Sequence, residues 1–303
     1  MRSLLFIPGN DARKLEKGLR SGADALILDL EDSVPLGEKA GARQVCTDFL
    51  AQHRNALPLF VRVNALSTGL LLDDLAAVVR AQPYGVMLPK CTGGDDVALV
   101  GAYLAALEAR ESLAAGSIRI LPIVTEVAAG LFDMGSYGRR AEPRLCGMLW
   151  GAEDLATDIG ASANRDGGRY TQPFQLARTL SLFAAAAAGV PAIDAVFTDF
   201  RDLDALRTEA REAAQCGFSG KAAIHPAQID PINAAFAPDE AALNAAQAIV
   251  AAFAREPTAG ALSIGGRMHD RPHLRAAQRL IARGPSAPVS DLPSNAKQSQ
   301  ESP

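Results

Sequence analysis

The sequence predicts an α/β fold, a (β/α)8 TIM barrel, and three observations carry that prediction. Short apolar runs, each closed by Pro, Gly or a polar residue, recur eight times along the chain. Amphipathic stretches of helical period separate them, which is the alternation of βαβ units. Glycines at 22, 116, 189 and 217 fall just past four of those stretches, where a helix C-terminus is expected. Eight units in roughly 225 residues match the count and size of the barrel. No Gly-x-Gly-x-x-Gly turn follows the first run, which counts against a doubly wound open sheet.

In chain order the strands are LLFIP (4–8), ALILDLE (25–31), LFVRVN (59–64), GVMLPK (85–90) and IRILPIVTE (118–126), then CGMLWGAED (146–154), AIDAVFTD (192–199) and KAAIHP (221–226). Their near-continuous apolarity, rather than strict alternation, marks parallel strands covered by helices. The helices between them are expected at 11–21, with Asp11 as a cap, and at 37–53, 69–81, 95–114, 127–138, 173–188 and 201–216.

Composition excludes several function classes. Thirty Lys and Arg against 34 Asp and Glu give a net charge of −4 with no long run of either sign, so a non-specific nucleic-acid binder is not expected. The apolar run before Pro8 and Gly9 is too short for a signal-peptide core or a membrane span, and the expected location is the cytoplasm. Cys46, Cys91, Cys146 and Cys216 lie far apart with no CxxC, so neither a disulfide framework nor a thiolate zinc site is indicated. His269 and His273 have i, i+4 spacing in MHDRPH, but Pro272 interrupts and no Glu fills the metalloprotease position. No GxSxG is present.

In a barrel of this kind chemistry belongs at the C-terminal strand ends. Strand two ends in Asp29, Glu31 and Asp32, strand three carries Arg62 and Asn64, strand four ends in Lys90 and strand five in Glu126. Strand six ends in Glu153 and Asp154, strand seven in Asp199 and strand eight in His225. Glu126 and Asp154 are hard oxygen donors with no His or Cys near in sequence, a pattern that favours Mg2+; helix N-capping is the alternative. Arg62 inside an apolar strand needs an anionic partner, either a ligand or an internal salt bridge to Asp29 or Glu31. Lys90 precedes a glycine turn that could receive a carboxylate or phosphate.

The stretches MRSLLFIPGN, GADALILDLEDSV, FVRVN, MLPK, LWGAEDLATDIGA, NRDGGRY, GVPAIDAVFTDFRD and GFSGKAAIHPAQI resemble the citrate lyase β-subunit-like family, coenzyme A ester lyases of the HpcH/HpaI aldolase superfamily. The resemblance runs from residue 1 to about 283. It implies a barrel over 1–255 and a C-terminal helical lid segment over 256–285; the polar, Pro- and Ser-rich segment over 286–303 is expected to be a disordered tail. It implies Mg2+ on Glu126 and Asp154, Arg62 against thioester or keto-acid oxygens, and Asp270 of GGRMHDRPH as acid/base. His269 departs from the small apolar residue usual before that aspartate. For the coenzyme, Arg2, Arg13, Lys14 and Lys17 are candidates for phosphate contacts, and the chain around His225 and Pro226 for thioester-side contacts.

The implied reaction is Mg2+-dependent cleavage or formation of a carbon–carbon bond in a 3-hydroxyacyl-CoA such as malyl-, citramalyl- or citryl-CoA, yielding an acyl-CoA and a keto acid. Implied partners are the acyl-CoA thioester, a small keto acid and other copies of the chain, in a homotrimer or hexamer where a neighbour's lid closes the site. Two alternatives stay open. One is a citrate lyase β subunit acting on citryl-acyl-carrier protein, and the other is a non-catalytic acyl-CoA-binding barrel.

Overall fold

The structure is a computed structural model that describes residues 1–140 and 142–281. The expected tail at 286–303 and the last residues of the expected lid lie outside the described residues. The chain divides into two units, Met1–Phe236 and Ala237 onward. The division falls earlier than residue 255 because the helix Glu240–Arg255 packs on the helix Arg271–Ile281 within the second unit.

In the first unit the eight apolar runs form β1 (Ser3–Pro8), β2 (Ala25–Asp29), β3 (Leu59–Arg62), β4 (Gly85–Leu88), β5 (Arg119–Pro122) and β6 (Met148–Leu149). After a small antiparallel hairpin, β7 (Arg165–Asp166) and β8 (Arg169–Tyr170), come β9 (Ala192–Asp194) and β10 (Gly220–Ala223). The main sheet is parallel throughout in the order β5-β4-β3-β2-β1-β10-β9-β6. Parallel bridges Ile120↔Leu145 and Ile123↔Leu149 join its two edges and close the ring.

Alternation along each strand divides the core into two layers. Leu4, Ile27, Phe60, Met87, Leu121, Ile123, Ile193 and Ala222 fill the lumen. Leu5, Leu26, Leu28, Val61, Val86 and Ile120 face outward onto the helices. The helix Gln172–Ala188 turns Phe174, Ala177, Ala184 and Ala185 toward that layer, where small residues allow close approach to the sheet. Gly189 and Gly217 end their helices in the left-handed conformation, with φ of 72° and 111°.

Three local outcomes differ from the sequence expectations. The strands stop short of the polar residues that follow them: after the last bonds to a neighbouring strand, Leu30 N to Arg62 O and Val63 N to Met87 O, the next N–H groups go to side chains, Glu31 N to Asp29 Oδ1 at 2.9 Å and Asn64 N to Asp74 Oδ2 at 2.7 Å. The helix expected at 127–138 is two short helices, Ala128–Phe132 and Ser136–Arg140, parted at Asp133–Gly135. A helix over Glu153–Asp158, foreshadowed only by the capping weighed for Asp154, follows β6 directly, with Ala152 rather than Asp154 at its N-cap.

The second unit holds a hairpin of β11 (Ala261–Ile264) and β12 (Arg267–Asp270) between its two helices. Among the described residues no helix is long and apolar enough to cross a membrane. The cysteines are all free, with Cys46, Cys91 and Cys146 buried and Cys216 exposed.

Candidate active site

Register and alternation together build the site. Asp29 and Arg62 are register partners on β2 and β3, and each continues the lumen-facing series of its strand, Ile27 then Asp29 and Phe60 then Arg62. They therefore lie side by side above the apolar lumen. Arg62 forks onto Asp29 with Nε–Oδ1 at 2.6 Å and Nη2–Oδ2 at 2.7 Å, over the ring of Phe6 at 5.0 Å. Its Nη1 lies 2.9 Å from Glu31 Oε2. That contact is an ion pair without hydrogen-bond alignment, since Oε2 has no hydrogen-bond partner among the described residues.

Lys90 completes the cluster. Its Nζ lies 2.5 Å from Glu31 Oε1, 3.5 Å from Asp32 Oδ2 and 3.3 Å from Asp154 Oδ1. Its backbone occupies the left-handed region at φ 54°, rare for a residue with a side chain, and its N–H donates to Glu126 Oε2 at 2.6 Å. Glu126 is almost wholly buried, and Gly151 leaves room for it: a Cβ there would stand 2.9 Å from Glu126 Cγ. Asp154, in the first turn of the Glu153–Asp158 helix, is one-third exposed.

The electrostatics follow from this crowding. Burial pushes the Asp29 carboxyl up, but the Arg62 guanidinium and the N–H groups of Ser33 and Glu31 outweigh it and hold it below the usual range. Burial raises Glu31 despite Arg62 and Lys90, with Asp32 adding to the rise. Glu126 is pushed up to about 8, first by burial and then by the charge of Asp154, with the Lys90 N–H opposing. Two carboxylates that repel in a poorly solvated place, one of them reluctant to ionise, form an oxygen donor set short of positive charge. That fits a small hard dication, which takes one or two protein carboxylates and completes its shell with water and ligand oxygens. Among the described residues no larger His, Cys, Asp or Glu set gathers to hold a metal.

Behind the cluster, Lys39 Nζ donates to the carbonyls of Leu30 and Glu31 and to Asn64 Oδ1, and Asp74 accepts from Asn64 and Arg43. Asn64 thus fixes the turn after β3 rather than facing a ligand. Sequence reading missed this scaffold because its partners lie on separate helices.

The structure brings Glu31, Arg62, Lys90, Glu126 and Asp154 together, and Arg62 makes an internal salt bridge to Asp29 and Glu31. The remaining candidates sit elsewhere. Arg2 is a correction: it precedes β1, at the opposite rim of the barrel, where its guanidinium forks onto Asp24 at 2.8 and 3.0 Å. A residue before a strand starts at the N-terminal rim by geometry. Lys14 lies on the helix after β1 and pairs with Asp11 at 3.5 Å. Asp199 accepts from Arg201 N in a local turn. His225 caps the turn Pro226–Gln228 and stacks on Phe200 at 4.8 Å, both residues exposed. Asp270 ends β12 in the second unit.

A second set of buried charges serves the wall. Lys221 and Asp194, both fully buried, pair at 2.8 Å on the outer face of β10 and β9, joined by Trp150, Arg178 and Glu209. Glu209 also holds Arg165 of the small hairpin at 2.6 Å, and Asn164 donates to Glu153 Oε1, beside Asp154.

The HpcH/HpaI aldolase/citrate lyase family model matches residues 2–226. Citrate lyase subunit beta of Leuconostoc mesenteroides subsp. cremoris is 32% identical over 92% of this chain and 92% of its own length. The (3S)-malyl-CoA thioesterase of Cereibacter sphaeroides is 33% identical over 93% and 94%. The structure is similar to CitE from Mycobacterium tuberculosis in complex with magnesium, acetoacetate and coenzyme A, with a TM-score of 0.73 and 32% identity, covering 93% of this chain and 97% of that one. A match spanning most of the barrel, relatives alike over nearly full length and a shared barrel agree: the chain belongs to the HpcH/HpaI aldolase/citrate lyase family.

Proposed function

We propose that the protein cleaves, and in the reverse direction forms, the carbon–carbon bond of a 3-hydroxyacyl-CoA thioester such as malyl-, citramalyl- or citryl-CoA. The observation that carries this reading is the pairing of a cation-deficient carboxylate couple, Glu126 and Asp154, with two cations, Arg62 and Lys90, at one rim of the barrel. Glu126 and Asp154 would hold Mg2+, which when bound supplies Lewis-acid polarisation of the substrate hydroxyl and keto oxygens.

The chain's own residues do the rest. Lys90 draws the substrate carboxylate to the rim, and Glu31 keeps its ammonium in place. As the bond breaks, the electron pair moves onto the thioester as an enolate and the hydroxyl proton leaves to solvent. Arg62, locked by Asp29 and Glu31, offers its remaining N–H donors to the enolate oxygen; such preorganised donors contribute about 3–4 kcal/mol. Asp270 protonates the enolate carbon, or removes that proton in reverse, from its own chain or a neighbour's. The coenzyme phosphates meet Arg13, Lys14 and Lys17, with His225 and Pro226 on the thioester side. The working form is a cytoplasmic homotrimer or hexamer in which the segment over 256–285 acts as a lid.

The test offers malyl-, methylmalyl-, citramalyl- and citryl-CoA to the folded protein with Mg2+ and then with EDTA. Metal-dependent release of an acyl-CoA and a keto acid supports the reading. Release of free coenzyme A and a hydroxy acid would replace it with thioester hydrolysis. Turnover of a citryl carrier protein alone would mark a citrate lyase β subunit, the reading that the Leuconostoc relative favours. Metal-indifferent binding without turnover would leave an acyl-CoA-binding barrel.

A further inference from the structure

The residues around Asp270 form a unit of their own. Asp270 ends β12 and immediately precedes the helix Arg271–Ile281, so His273 is the third residue of that helix. His273 N donates to Asp270 Oδ1 at 3.3 Å, and the Asp270 N–H points back to His273 Nδ1, also at 3.3 Å. With Nδ1 bare this reciprocal pattern is a capping box, in which the third helical position is ordinarily Glu or Gln.

A histidine there adds something those side chains lack. Its Nδ1 lies 2.5 Å from Asp270 Oδ1, so in the tautomer that carries its hydrogen on Nδ1 the ring instead donates to the carboxylate. That geometry lets a proton pass between a carboxylate and an imidazole. The side chain of His273 is half-exposed, which leaves its far nitrogen open to water. His269 stands edge-on to the ring of His273 at 5.3 Å and restricts its swing. Arg271, the adjacent cation, is turned away: it donates to the Pro257 carbonyl and lies over the Phe253 ring. The hydrogen bond from His273 holds the Asp270 carboxyl below the usual range.

We propose that His273 is a positioning residue for the acid/base chemistry of Asp270, fixing its carboxyl group and returning a proton to it after each turnover. The inference rests on Asp270 being the acid. The proton count closes: Asp270 gives its proton to the enolate carbon, Nδ1–H of His273 passes a proton to the Asp270 carboxylate, and the ring is reprotonated from water. The hydroxyl proton lost by the substrate balances the one taken up.

The test uses the full-length chain with Mg2+ and whichever thioester of the four-member panel it cleaves fastest, together with deuterium uptake into the methyl group of acetyl-CoA in D2O. His273→Gln keeps the capping geometry but carries no mobile proton. It is expected to lower kcat and methyl exchange roughly 10- to 100-fold with KM within about twofold. In His273→Ala, added imidazole is expected to restore part of the loss. Wild-type rates in His273→Gln, or a loss in both variants that imidazole leaves untouched, would reduce His273 to a helix cap. Nitrogen-15 NMR of the wild-type histidines gives a reading that does not depend on variant folding: a Nδ1 of His273 without any share in a proton would overturn the proposal. Full activity in Asp270→Asn would instead remove the acid role of Asp270 itself.

Discussion

Lys90 and Glu126 are joined through the backbone: the Lys90 N–H reaches Glu126 Oε2 at 2.6 Å only because Lys90 sits at φ 54°. A strained residue thus aims one carboxylate of the couple while its own ammonium, divided between Glu31, Asp32 and Asp154, lies 3.3 Å from the other. The two functions of Lys90 can be separated. Lys90→Gly retains the conformation and the N–H and loses the ammonium, so substrate KM should rise roughly tenfold or more. Lys90→Ala should lose about 1 kcal/mol of stability relative to the Gly variant, read from denaturant midpoints.

Glu126→Gln and Asp154→Asn should each weaken Mg2+ binding, measured by calorimetry, and lower thioester cleavage by at least roughly 100-fold. In the wild type, saturating Mg2+ should raise the melting temperature by mass action, and in Glu126→Gln it should not. An unchanged Mg2+ response in both variants would move the metal site elsewhere.

At the other rim Arg144 forks onto Glu108 with both contacts at 2.7 Å, and the N–H groups of Gly116 and Ile118 complete the carboxylate. Burial alone would raise Glu108, but these partners outweigh it and bring it down to about 2. Because the folded value lies below the unfolded one, the stabilisation is complete above about pH 4.5 and disappears as pH falls toward 2. Denaturant melts of wild type and Glu108→Gln should differ by on the order of 3 kcal/mol at pH 7 and converge at the acid end of that window.

Lys221→Met leaves Asp194 buried without its ammonium, and a loss of about 3–5 kcal/mol is expected. Turnover per folded molecule should change far less than in the Glu126 variant. A selective loss of turnover at unaltered stability would show that this network reaches the site through Arg165 and Glu153.

The barrel was legible because eight apolar runs repeat with helices between them, a long-period signal that burial on both faces imposes. The extent of each strand was not, since ladder hydrogen bonds end where side chains such as Asp29 begin to capture N–H groups. The cluster was legible as a set of strand-end charges, and a salt bridge from Arg62 to Asp29 or Glu31 was one of the two readings of that arginine. Which of them takes the fork of Arg62 depends on register, and register is a property of two strands. Arg2 shows a signal that was present and unread: Arg2 and Asp24 directly precede adjacent parallel strands, so both start at the same rim, away from the chemistry. The hairpin at 165–170 is visible as the motif NRDGGRY, but its tie to Glu153 through Asn164 requires the fold.

The Glu108–Arg144 fork also bears on how this barrel can change over time. It ties the approach to β5 to the approach to β6, next to the seam where the ring closes, using residues that no proposed substrate touches. Stability is anchored at the rim opposite the proposed site. Loops on the reactive rim can therefore be rewritten for new acyl groups, one mutation at a time, without first loosening the joint that keeps the ring shut.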